Sequence, residues 1–188
     1  MKNVVIAFFL LANLSAFAQK PCEIDANVTD SLGTYKSLKQ SVIYERHTEN
    51  NINIFFGLYM NNGILGLETQ FLEQSNDFIK ANCFDANSRI YLQLNNGKIV
   101  TLICASEETC GTYISSEKNR NSRITVGRFV FSKENFEELK VSPVTFMRVK
   151  YATEILDYPF KTEIISELDK KTYQPENYFI DYLKCIEN

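Results

Sequence analysis

The sequence predicts an α+β fold: one domain built on a mostly antiparallel sheet, or a partly closed β-roll, with a helix inserted late and helices at the C-terminus. Three observations carry this. Ile52, Ile54, Phe56, Leu58 and Met60 repeat with period two, the spacing of a strand with one buried face. Asn62-Gly63 and Asn96-Gly97 sit between apolar runs, and Asn-Gly there marks a tight hairpin because both residues tolerate positive φ. Near the end, Phe179, Tyr182, Leu183 and Ile186 fall at i, i+3, i+4 and i+7, one face of a helix.

Residues 1–18 stand apart from that domain. Lys2 gives a short positive n-region, Val4 opens an apolar stretch that runs to Leu14, and Ala16-Phe17-Ala18 places small residues where a signal peptidase reads. The stretch is well short of the roughly 20 residues that span a bilayer. A secretory signal cleaved after Ala18 is therefore expected, with no membrane span afterwards and a periplasmic or secreted destination. Gln19 follows the small residues, where lipidation would require Cys.

Polar residues dominate 19–31 and predict a flexible lead-in, leaving 32–188 as the domain. Strands are expected over 41–46, 52–60 and 64–71, the last two joined by Asn62-Gly63. Phe55 and Tyr59 add apolar bulk to the second face of 52–60, which suits a central strand. A further hairpin pairs 89–94 with 98–105. With Asn96 and Gly97 as its two turn residues, Leu94 faces Ile99, Leu92 faces Thr101 and Ile90 faces Ile103. That register puts Ile90, Leu92, Leu94, Ile99 and Ile103 on one face. Residues 106–122 read as an exposed polar loop and 124–131 as a strand. Ser132 can cap a short helix over 133–140 with Phe136 and Leu139 inward. Pro143 precedes a strand over 144–151, and Tyr158-Pro159 breaks the chain. A helix is expected over 162–170, and Pro175 fits the first turn of the last one.

Composition narrows the function. Taking eighteen residues from 188 removes only Lys2 among the charged ones, so 19 Lys and Arg face 23 Asp and Glu. A net charge near −4 argues against a nucleic-acid partner, which requires a basic surface. Tyr and Phe are abundant and Trp is absent. The absence of Trp weakens a sugar-stacking platform, although Tyr can substitute.

Five cysteines in an exported chain predict disulfides, with one thiol left over. The register of the second hairpin, extended outward, sets Cys83 opposite Cys110, with Cys104 as the competitor. Cys22 and Cys185 lie near the two ends, and termini often meet in space. Cys104 would then remain as a buried thiol.

Motifs for catalysis are missing. His47 is the only histidine and reads as an exposed turn residue. A Ser-His-Asp or Cys-His site would have to use it. One His without a Cys-x-x-Cys pair does not make a zinc site. Glu107-Glu108, Glu137-Glu138 and Asp169 could supply an acid and a base for glycoside hydrolysis, but no spacing selects a pair. No phosphate loop or nucleophile elbow occurs, so no cofactor is expected. Lys118, Arg120, Arg123 and Arg128 form a basic cluster that could steer an anion.

Four resemblances complete the reading. Ala16-Phe17-Ala18 followed by Gln19 resembles export signals of Bacteroidota-type bacteria. Asp30-Ser31-Leu32 resembles their acceptor motif for O-glycosylation, which makes Ser31 a candidate. Gly33-Thr34-Tyr35-Lys36 resembles the first strand of lipocalin-like barrels, with Tyr in place of Trp. Leu92 to Lys98, a later Cys, Phe136-Glu137-Glu138-Leu139, Pro143-Val144 and Arg148 together resemble small exported Bacteroidota proteins of unknown function. This last resemblance implies no activity. The expected function is an exported, non-catalytic binding or accessory domain of the cell envelope, with a protein or small molecule as partner. The alternatives are a carrier of a small apolar ligand and a carboxylate-based hydrolase.

Overall fold

The computed structural model describes residues 20–117 and 120–187. The expected signal segment, 1–18, with its cleavage point after Ala18, and likewise Gln19 and Lys118, lie outside them. Among the described residues thirteen strands form: β1 Ile24–Asp30, β2 Gly33–Leu38, β3 Ser41–Arg46, β4 Asn51–Asn61, β5 Ile64–Ser75, β6 Arg89–Leu94, β7 Ile99–Cys104, β8 Thr112–Ile114, β9 Asn121–Phe131, β10 Val144–Lys150, β11 Ile155–Pro159, β12 Ile164–Ile165 and β13 Thr172–Tyr173. Helix α1, Tyr178–Glu187, closes the chain.

The large sheet runs in the order β1-β2-β4-β5-β9-β7-β6-β10-β11, with β3 paired to β4 and β8 to β9. Its pairings are antiparallel, and β12 and β13 form a separate small hairpin. The sheet curls until distant strands touch. Tyr44 on β3 meets Tyr158 on β11 at 5.3 Å between ring centroids, and Phe56 on β4 meets Phe160 at 6.2 Å. No pairing among the described residues closes it into a barrel. Rings fill the space inside the curl: Phe71 contacts Phe84, Tyr151 and Tyr158, and Phe84 contacts Phe129. Helix α1 buries Phe179, Leu183 and Ile186 against this core, each such side chain contributing about 1.5–3 kcal/mol.

β4 is central. One edge pairs along its whole length with β5, while the other is shared by β2 at residues 59–61 and β3 at residues 52–56. The corner between β2 and β3 leaves Leu58 without a ladder partner on that side. Its N–H donates instead to the buried Tyr178 hydroxyl at 3.2 Å, which meets the requirement that a buried backbone donor be paired.

The first Asn-Gly hairpin has a two-residue loop, Asn61 opposite Ile64, with positive φ at Asn62 and Gly63. The second differs from the expected register by one residue. Arg89 pairs with Ile103, Tyr91 with Thr101 and Gln93 with Ile99. Gly97 N–H donates to the Leu94 carbonyl with Gly97 at φ +82°, so the loop has three residues and ends in a left-handed glycine. The slip turns the return strand over. Val100, Leu102 and Cys104 are buried, whereas Ile99 and Ile103 are 50% and 38% exposed.

Other segments also depart from expectation. The loop expected over 106–122 contains β8, paired with β9, and the first residues of β9 itself. The lead-in contains strand β1, paired with β2; Ile24, Ala26 and Val28 alternate weakly, as suits an edge with little to bury. The helix over 133–140 is a five-residue 3-10 turn, Phe136–Lys140, preceded by left-handed Asn135 and without a side-chain cap from Ser132. Asn135 donates to the Ile99 carbonyl at 2.9 Å, and so short a segment gains little from helical propagation. The helix over 162–170 is replaced by the β12–β13 hairpin. There Ser166 Oγ accepts from Leu168 N–H, and Glu45 accepts from Ser166 Oγ and from Glu167 N–H, side-chain bonds that compete with a helix.

Candidate binding site

Residues paired across neighbouring strands share a face of the sheet. On the outer face this places Val28, Tyr35, Asn61 and Ile64 in one row, Ala26, Ser37, Tyr59, Gly66 and Val130 in the next, and Gly57, Glu68 and Arg128 in a third. A trough of about 550 Å³ lies over these rows, lined by Asp25, Tyr35, Ser37, Tyr59, Glu68 and Arg128 with Gly57 among its residues.

The glycines shape the trough. The Tyr59 ring lies against Gly66, where an added Cβ would sit 2.2 Å from the ring. A glycine inside a strand marks such a close approach. Tyr59 stacks at 22° on Tyr35 with centroids 6.4 Å apart, and the Arg128 guanidinium lies 6.0 Å from the Tyr59 centroid. Arg128 Nε donates to Glu68 at 2.9 Å, and Gln40 donates to the other Glu68 oxygen at 3.3 Å. That bond to Glu68 holds the guanidinium pKa up, and burial raises the Tyr59 phenol, keeping it a donor at neutral pH. Exchange of Gly66 for Ala should displace the Tyr59 ring and cost about 1–3 kcal/mol, as overpacking does. Near-UV circular dichroism of the tyrosines and urea unfolding would show both effects.

A second cleft of about 370 Å³ adjoins the trough across the corner, sharing Leu38, Lys39 and Gln40. Its walls come from residues 20–23, the segment 169–174 and α1. Its charges are paired internally: Lys20 with Asp181 at 3.0 Å, Lys39 with Glu23 at 3.4 Å and Lys171 with Asp169 at 3.9 Å.

Of the candidate residues and motifs singled out in the sequence, Tyr35 and Arg128 line the trough and Asp169 lines the second cleft. Cys83 is joined to Cys110 and Cys22 to Cys185, and Cys104 is free and buried. Arg123 is buried and structural, donating to the Ile79 and Cys110 carbonyls, while Arg120 donates to the Glu49 carbonyl. The basic cluster is thus dispersed among its described members. Glu107 and Glu108 sit on a loop, Glu137 and Glu138 on the 3-10 turn, and Asp169 beyond β12. Glu138 bonds Lys98 and Asn96, and Asp169 accepts from Tyr173. Ser31 occupies the exposed two-residue turn between β1 and β2. No group of three His, Cys, Asp or Glu among the described residues could hold a metal.

His47 is exposed, 3.3 Å from Glu45, whose carboxylate also holds Ser166. Ser, Glu and His are therefore neighbours, but hydroxyl and imidazole both bond the carboxylate. Activation of a serine needs the hydroxyl on the imidazole, and Ser166 is fully buried. Exchange of His47 for Ala should change stability by about 0.5 kcal/mol or less, measured by urea unfolding.

At the other end of β5, on the inner face, Glu73 faces Arg123, Arg46, Glu154, Tyr151 and Tyr158. Burial raises its pKa, Arg123 opposes the rise, Glu154 adds to it and Arg46 opposes it. The Tyr151 and Tyr158 hydroxyls lie 3.2 Å apart, and burial pushes the Tyr158 phenol up to about 12. A carboxyl with a raised folded pKa binds its proton more tightly in the native state, so its contribution is present at low pH and lost as pH rises through the folded value. Glu73→Gln should therefore raise the urea midpoint relative to the parent at pH 7 and raise it less at pH 4. An unchanged pH profile would exclude this role.

No helix among the described residues is long and apolar enough to cross a membrane. No protein-family model matches the chain, and neither does any curated protein or solved structure.

Proposed function

We propose that this chain is an exported, non-catalytic binding module of the cell envelope, and that the trough of Tyr35, Tyr59, Glu68 and Arg128 holds its ligand. The observation that carries this reading is the trough itself. It is concave, has aromatic walls, and sets convergent polar groups beside strand glycines, the arrangement by which proteins fix small ligands. Two disulfides fit an oxidising compartment, and the signal-like segment fits export. The aromatic filling of the curl favours a surface site over an internal carrier cavity.

Amide exchange of the exported protein, with and without a dialysable extract of its native envelope, tests the site. Protection should appear in β2, β4, β5 and β9 around the trough. Protection elsewhere, or none, would refute it. Intact mass of the same material reads the processing: a chain beginning at Gln19 supports export, and a hexose-bearing peptide at Ser31 supports modification of that turn.

A further inference from the structure

We infer that the ligand of the trough is a neutral oligosaccharide; this rests on the trough being the ligand site. The lining charges cancel. Glu68 and Arg128 neutralise each other at 2.9 Å, and the other two lining charges, Asp25 and Lys39, are of opposite sign and both exposed. Lys39 is itself paired with Glu23 at 3.4 Å. An anionic ligand would have to take Arg128 from Glu68 or Lys39 from Glu23, at a cost in desolvated charge, and a cationic one would find only the exposed, solvent-screened Asp25. A ligand rich in hydroxyls needs neither, because each hydroxyl both donates and accepts.

The polar groups suit that ligand. The Gln40 amide, Glu68 carboxylate and Arg128 guanidinium form one hydrogen-bonded chain of planar groups, and each offers paired donors or acceptors to neighbouring hydroxyls. The nearly buried Ser37 hydroxyl and the protonated Tyr59 phenol add two more partners. Apolar surface lies alongside: the half-buried Tyr35 ring shares its row with exposed Val28 and Ile64. Sugar rings present C–H faces to such surface while their hydroxyls stay at the edge. The continuation into the second cleft across Leu38, Lys39 and Gln40 gives room for several linked rings rather than one.

The test is calorimetric titration of the exported protein with neutral tetrasaccharides of glucose, xylose and N-acetylglucosamine. Acidic tetragalacturonate and cationic tetraglucosamine serve as charged counterparts. At least one neutral tetrasaccharide should bind, with affinity changing less than twofold between 50 and 500 mM salt, since no net charge is engaged. Tyr35→Ala should weaken it tenfold or more and Tyr35→Phe by less than threefold, with urea midpoints near that of the parent. Tighter binding of either charged counterpart, or no binding of any neutral one, would overturn the inference. If the envelope extract still protects the trough in that case, the site stands and only the ligand class falls; loss of both removes the site as well.

Discussion

Joint exchange of Cys22 and Cys185 for Ala is expected to lower the stability of the protein more than any substitution at an exposed position. The bond joins residues 163 apart, and the chain-entropy model assigns a loop of that length about 5 kcal/mol at 25 °C. Helix α1 has anchors besides the bond. Phe179, Leu183 and Ile186 are buried, and Tyr178 accepts from the Leu58 N–H. The segment 20–23 is held differently. It has few apolar contacts, and beyond the disulfide it is tied by ion pairs such as Lys20–Asp181 at 3.0 Å. Losing the bond should therefore release this segment first and open the 370 Å³ cleft it helps to line, while β4, β5 and β9 stay protected. Urea unfolding with amide exchange separates the two effects. A midpoint unchanged by the double substitution would show that the denatured chain is already constrained without the bond.

The two Asn-Gly hairpins show what the sequence could decide. Asn62-Gly63 has one apolar register, because Ile52, Ile54, Phe56 and Leu58 form an unbroken apolar row in β4 while Asn53 and Gly57 interrupt the opposite one. In β7 every residue from Ile99 to Cys104 except Thr101 is apolar, so both faces look suitable for burial. Asn95 precedes Asn96-Gly97, which admits a three-residue loop as readily as a two-residue one, and the one-residue slip follows. Cys83 and Cys110 nevertheless meet. The bridge of Phe84 with Thr109 is offset by one from the ladder of β6 and β7, because residues 105–108 carry one more residue than residues 85–87 opposite them. The irregular stretch thus cancels the error in the ladder. The trough was less legible. Its walls come from strands far apart in sequence, and only pairing puts Tyr35, Tyr59 and Arg128 together. The readable signal was the pair of strand-interior glycines, Gly57 and Gly66, which neither period nor turn chemistry explains. The 164–173 hairpin was hidden because Glu45, more than a hundred residues away, supplies the bonds that outcompete a helix.

Phe56→Ala should be the most damaging single core substitution. The side chain has no exposure, and its ring meets Phe160 at 6.2 Å, Tyr178 at 5.6 Å and Phe179 at 6.0 Å. These three rings belong to the part of the chain after β11, so Phe56 is where the central strand grips the C-terminal segment and the curl of the sheet is held. Truncating a buried Phe costs about 3–5 kcal/mol through lost transfer energy and the cavity left behind. The upper end is expected here, because Tyr178 is fixed by its bond to Leu58 and cannot move into the space without leaving that N–H unpaired. Phe56→Leu fills most of the volume and should cost less than half as much. Coupling gives the sharper test. Phe56 and the Cys22–Cys185 bond both hold the C-terminal segment, so the triple variant should lose less than the separate losses combined, the signature of a shared element. Strict additivity in urea unfolding would mean that α1 is anchored independently at its two ends, and that Phe56 acts on the sheet alone.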